Sequence, residues 1–300
     1  MDSNKLIEKE HKYIDMICDK FNYDSNIRHL LYIIIPAFII KYGIKRENLI
    51  RKTFENIKII CSNQENKVVK AYYTTSLRCN ENSYFTNKYM IVQNYNNISL
   101  IELLDNLIHE FNHAINSYNN EIKVTKNYIY LRTGLTYRIY KKGDLSFVKK
   151  EASYILEEII NTKQTEDIIN IIKTFDSSNS FFSNTIYAIN NETNFNYKSK
   201  SYYLGSFVCK KILSNKTFIK TLENLRITGE IYDIDKWFDN IVGKNNSYNE
   251  LIVFLNDIYN LEVEYSKKKF FKSLILNKIK LISSKIIKIV EMFDNNVNYR

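Results

Sequence analysis

The sequence predicts an α+β protein: a small sheet set among helices, followed by a long helical region. Three observations carry that expectation. Between residues 56 and 94 the chain runs in short stretches of β-branched and aromatic residues, the composition of strands. On either side of it, apolar residues recur at spacings of three and four, the period of helices. With 300 residues and 45% hydrophobic content, the chain is also long enough to bury a core of one large domain or two small ones.

The elements follow in order. Residues 3–21 and 26–52 read as helices. Within the second, "LLYIIIPAFII" at 30–40 is shorter than the ~20 apolar residues that span a bilayer. Arg28 and His29 precede it and Lys41 follows, so it predicts a buried helix, kinked or broken at Pro36. "NIKIICS" (56–62) and "KVVKAYYTT" (67–75) predict a hairpin through "NQEN", and "SYFT" (83–86) and "YMIVQN" (89–94) add strands. From 99 onward nearly everything reads helical: 99–118, 145–175, 201–214, 217–226, 247–260 and 266–293. "RTGL" (132–135) and "KKGD" (141–144) supply turns between helices. No repeat and no Pro/Gly/Ser-rich linker divides the chain. The expectation is one unit made of an α+β lobe, 1–118, and a helical lobe, 119–300.

The net charge is +10 and the pI about 9.1. A basic balance favours nucleic acid, acidic lipid or acidic protein. The lysines are spread along the chain, however, with one compact run, "SKKKFFK" at 266–272. No RNP, zinc-finger or Arg-rich element accompanies them, so no nucleic-acid partner is expected. Cys18, Cys61, Cys79 and Cys209 have neither close pairing nor C-x-x-C spacing, so neither a disulfide scaffold nor a cysteine zinc site is indicated. "MDSNKLIEKEHKY" has no apolar h-region and does not read as a signal peptide. These observations predict a soluble, cytoplasmic protein with no transmembrane segment.

The informative stretch is "LIHEFNHAIN", residues 107–116, which holds two of only four histidines. Ser99 and Glu102 form an S-x-x-E capping box that starts a helix about three turns before His109. At ~100° per residue, Leu100, Leu103, Leu104, Leu107, Ile108, Phe111, Ala114 and Ile115 fall within an arc of roughly 140°. His109 and His113 lie opposite that arc, and Glu110 at its edge. Zinc takes neutral imidazoles, and an i, i+4 pair delivers two from one rigid element. The glutamate beside the first histidine is placed to take a proton from metal-bound water. A third ligand is needed. No histidine follows His113, so it must be a carboxylate, and "ILEEIINTKQTEDIIN" at 155–170 is its source.

With these residues, the chain resembles the gluzincins, zinc metallopeptidases with H-E-x-x-H on one helix and a glutamate ligand on the next. Their second motif is N-E-x-x-S-D, or L-N-E-G-x-T-E-x-x-T-E in smaller relatives. Laid on it, Leu156 to Glu166 puts Glu158 in the ligand position, with Glu157 as the alternate. Glu157 stands where Asn is usual, Ile159 where small relatives have Gly, and Thr162 where an Asp or Glu would orient a histidine. The resemblance implies a zincin-like fold, its small mixed or antiparallel sheet packed on the H-E-x-x-H helix. It implies Zn2+ held by His109, His113 and Glu158, with Glu110 as general base for hydrolysis of a peptide or protein substrate. It also implies an oxyanion-stabilising tyrosine from the helical lobe, Tyr203 or Tyr202 in "SYYLGSFVCKKIL". An edge strand within 83–94 would pair with extended substrate. The alternatives are a catalytically inactive zincin-fold binding module, and a basic nucleic-acid- or membrane-associated protein whose H-E-x-x-H is incidental.

Overall fold

The computed structural model describes residues 3–64, 70–80, 83–150, 153–175, 212–231, 233–267 and 272–297. It is an α+β fold with small sheets and a helical C-terminal region. The chain divides into two compact units, residues 1–118 with 164–197, and 119–163 with 198–300.

The first unit opens with α1 (Ser3–Phe21) and α2 (Ser25–Tyr42), then a 3-10 turn and α3 (Glu47–Asn56). α2 starts where the Asp24 side chain accepts from the Ile27 amide, and every residue from Leu30 to Ile39 is buried. Of the kink or break expected at Pro36, the break does not occur. α2 continues through it and ends at Gly43, whose φ of +84° suits glycine and whose amide donates to the Ile39 carbonyl.

Strands β1 (Lys58–Cys61), β2 (Ala71–Cys79) and β3 (Tyr84–Val92) form a mixed sheet in the order β1-β3-β2. The expected β1–β2 hairpin is therefore wrong. β2 pairs antiparallel with β3, and β1 runs parallel to β3 on its other side. The two segments 83–86 and 89–94 are one strand, and it takes the centre because Met90 and Val92 are fully buried on its inner face. The edge strands are thus β1 and β2, not the 83–94 segment.

The sheet packs against α4 (Leu100–Ser117), whose start is the expected cap: the Ser99 hydroxyl accepts from the Glu102 amide at 3.2 Å. The Glu102 carboxylate does not close the box; it pairs with Lys70 at 2.5 Å.

The second unit corrects the sequence expectation of helix after 119. Residues 122–150 form a four-stranded antiparallel meander, β4 (Ile122–Val124), β5 (Tyr128–Thr133), β6 (Thr136–Lys141) and β7 (Phe147–Lys150). "RTGL" is a two-residue hairpin loop, since Thr133 pairs with Thr136. Gly134 has φ +57° in the first central position, the place a II′ turn gives to glycine. Any Cβ there would lie 2.1 Å from the Glu157 carboxylate, so glycine is required twice over.

α5 (Tyr154–Ile172) is continuous across the division at 163/164. Its first half buries Ile155, Leu156, Ile159 and Ile160 in the core of the second unit. Its second half buries Ile168, Ile169 and Ile172 in the core of the first. α6 (Lys216–Thr228), α7 (Ile234–Val242), α8 (Ser247–Lys267) and α9 (Lys272–Val297) complete the second unit around Phe218, Phe238 and Phe293. No single helix among the described residues is long and apolar enough to cross a membrane.

Candidate metal centre

α4 is covered on more sides than its apolar arc alone accounts for. On one flank of the arc, Asn112 and Asn116 are fully buried. The Asn112 amide donates to the Thr165 hydroxyl at 3.1 Å, and the Asn116 amide to Gln164 Oε1 at 3.0 Å. Tyr42 donates to Asn112 Oδ1 at 2.9 Å, and Lys41 pairs with Asp167 at 2.5 Å. These bonds seat the second half of α5 beside α4. On the other flank, the Tyr73 amide of β2 donates to Glu110 Oε2 at 2.7 Å. His109 and His113 project between these two flanks, roughly 180° and 220° around from Leu100.

The histidines lie opposite the apolar arc as expected, but not in open solvent: His113 is 6% exposed and Glu110 8%. Their rings stand 5.0 Å apart, centroid to centroid, at 79°. The Ser117 hydroxyl donates to the His113 carbonyl at 2.5 Å.

Glu158 precedes Thr165 by seven residues, so it lies two turns along α5 on the same face. One ligand atom from each of His109, His113 and Glu158 falls within 4.8 Å of the others. Two imidazole nitrogens and one carboxylate are donor types that zinc sites use.

Glu157, the alternate ligand, has a different environment. It is buried, with Oε1 paired to the fully buried Arg226 guanidinium and Oε2 accepting from the Leu135 amide at 2.8 Å. Arg226 also donates to Asn161 Oδ1 at 3.0 Å. Arg132, equally buried, donates to the carbonyls of Gly134, Arg226 and Asn119. Both oxygens of Glu157 are thus used inside the second unit. Tyr202 and Tyr203 lie outside the described residues.

Glu110 keeps one oxygen for other work. Oε2 is held by β2, while Oε1 makes no hydrogen bond among the described residues. The register explains why Tyr73 supplies the donor. The Gln93 amide bonds the Lys70 carbonyl, so the alternate β2 residues Ala71, Tyr73, Thr75 and Leu77 turn their backbone groups away from β3.

Sequence reasoning missed Asp105, one turn before His109. Helical side chains lean toward the N-terminus, which brings the His109 ring over the turn that holds Asp105. Asp105 Oδ1 is shut off from solvent and has no hydrogen-bond partner among the described residues. Burial pushes its carboxyl up to about 7, opposed by the charge of His109. The i, i+4 spacing was the available signal. It also missed Asn112 and Asn116, where the same spacing marks a second polar stripe.

Comparison with protein-family models, curated proteins and solved structures finds no match for this chain.

Proposed function

We propose that this protein is a zinc-dependent metallopeptidase of gluzincin type, acting on peptides or proteins in a cytoplasmic setting. The observation that carries the reading is the convergence of His109, His113 and Glu158, with Glu110 on the same helix as the two histidines. A bound zinc ion would supply Lewis acidity and a water whose pKa falls to about 7.

The chain's own residues account for the rest. Glu110 Oε1 takes the proton of the attacking water and passes it to the departing amine nitrogen, while the Tyr73 amide fixes the carboxylate in place. The extended substrate pairs with the outer edge of β2, the strand already joined to the base. A tyrosine, Tyr203 or Tyr202 by the resemblance, stabilises the oxyanion.

Asp105 supplies the carboxylate missing at Thr162. In this reading it is a positioning residue, one turn from His109 and coupled to it by charge. Asp105→Asn is expected to weaken zinc binding by about 10–100-fold in a chelator competition. The metal-free protein should be no less stable to urea, since the change removes a buried acid that has no hydrogen-bond partner at Oδ1. A drop in stability at unchanged affinity would assign Asp105 to the scaffold.

The reading itself is tested on a peptide library. Cleavage should stop when zinc is removed by a chelator and return when zinc is restored. Cleavage that survives full metal removal would rule it out.

A further inference from the structure

The sequence gives the lysines an even spread, but the balance of charge is not even. Residues 265–290 contain Lys267, Lys268, Lys269, Lys272, Lys278, Lys280, Lys285 and Lys288, and no Asp or Glu. That is +8 of the net +10, leaving +2 for all the remaining residues. Most of this stretch is α9. Its inner face is spent on the core: Ile286, Ile289, Val290 and Phe293 are buried there, Ile279 and Ile282 pack against them, and Ile275 on the same face is buried too.

With Ile275 set at zero, that face spans roughly 320° to 60°. Beside it, between roughly 220° and 300°, runs a second stripe: Leu274, Lys278, Leu281, Lys285 and Lys288. Leu281 is 61% exposed and Leu274 55%, each a large apolar side chain left in water one turn from Lys278. Lys278 and Lys288 make no ion pair among the described residues, and Lys285 lies 5.2 Å over the Phe254 ring.

We infer that this outer stripe of α9 docks the protein on an anionic lipid surface. Leucines alternating with lysines along one side of a helix suit an interface in which apolar side chains enter the acyl boundary and ammonium groups meet lipid phosphates. A nucleic-acid backbone would reward the lysines but leave the leucines in water, and the stripe contains no arginine and no aromatic ring for stacking. The narrow apolar width makes binding peripheral and reversible, driven by charge. The inference is independent of the metal centre and stands or falls separately from it.

The test is co-sedimentation of the full chain with vesicles of phosphatidylcholine alone and of phosphatidylcholine mixed with phosphatidylserine. The expected result is binding roughly tenfold or more tighter to the mixed vesicles, largely lost at ~1 M salt. Two double variants at exposed positions, Lys278→Gln with Lys288→Gln and Leu274→Ser with Leu281→Ser, should each weaken it while circular dichroism stays unchanged. Equal binding to both vesicle types, or none, would overturn the inference. So would full retention by the leucine variant. Tighter binding to a DNA duplex than to mixed vesicles would overturn it too, and reassign the stripe to nucleic acid.

Discussion

Glu110→Gln is expected to retain a full complement of zinc and to lose peptide turnover by about 10²–10⁴-fold. The substitution is nearly isosteric. The glutamine carbonyl can still accept from the Tyr73 amide, so the side chain keeps the position that Glu110 holds against β2. What changes is the other end of the group. An amide nitrogen replaces Oε1, the oxygen that makes no hydrogen bond among the described residues, and it cannot take a proton from water. Binding and chemistry therefore separate: zinc content and substrate KM should move little, and the loss should fall in kcat. A variant that cleaves at the wild-type rate would remove Glu110 from the mechanism.

The second large effect distinguishes two adjacent glutamates. Glu157→Gln leaves the Arg226 guanidinium buried without its counter-charge, and breaking such a pair costs about 3–5 kcal/mol. The urea midpoint should fall accordingly. Glu157→Met combined with Arg226→Met should cost less than the sum of the two single changes, because no uncompensated charge remains. Glu158→Gln should do the opposite: stability nearly unchanged, zinc affinity strongly reduced. Consecutive residues diverge by ~100° on a helix, so one can serve the interior while the other faces the histidines. If Glu157→Gln released the metal and Glu158→Gln unfolded the protein, the assignment of the two roles would be reversed.

This pair also shows how far the sequence could be read. α4 was legible because its information is local: the Ser99 cap, the apolar arc and the spacing of His109 and His113 all lie within one helix. The rotation of α5 was not legible from its own pattern. Isoleucines occur around most of its circumference because its two halves bury residues in two different cores. The partner that engages Glu157 is Arg226, 69 residues away, a separation over which a sequence pattern carries no signal.

The β4–β7 meander was misread for another reason. "NYIYLRTGLTYRIYKK" has the alternation of a hairpin, with Ile129, Leu131 and Ile139 on the buried side, and a glycine where a two-residue loop needs positive φ. Taken as a stop between helices, Gly134 concealed both strands. The β1-β3-β2 order failed because sequence proximity favours a hairpin, whereas the buried face of β3 gives it the centre.

Zinc stoichiometry, read by elemental analysis on protein purified without chelator, bears most directly on the central proposal. The expected result is close to one zinc per chain in the natural protein, and none in the variant carrying both His109→Ala and His113→Ala, with the helical circular dichroism signal preserved. Full zinc content in that double variant, or a natural protein that binds no zinc when the metal is supplied, would contradict the assignment of His109, His113 and Glu158 as a metal site.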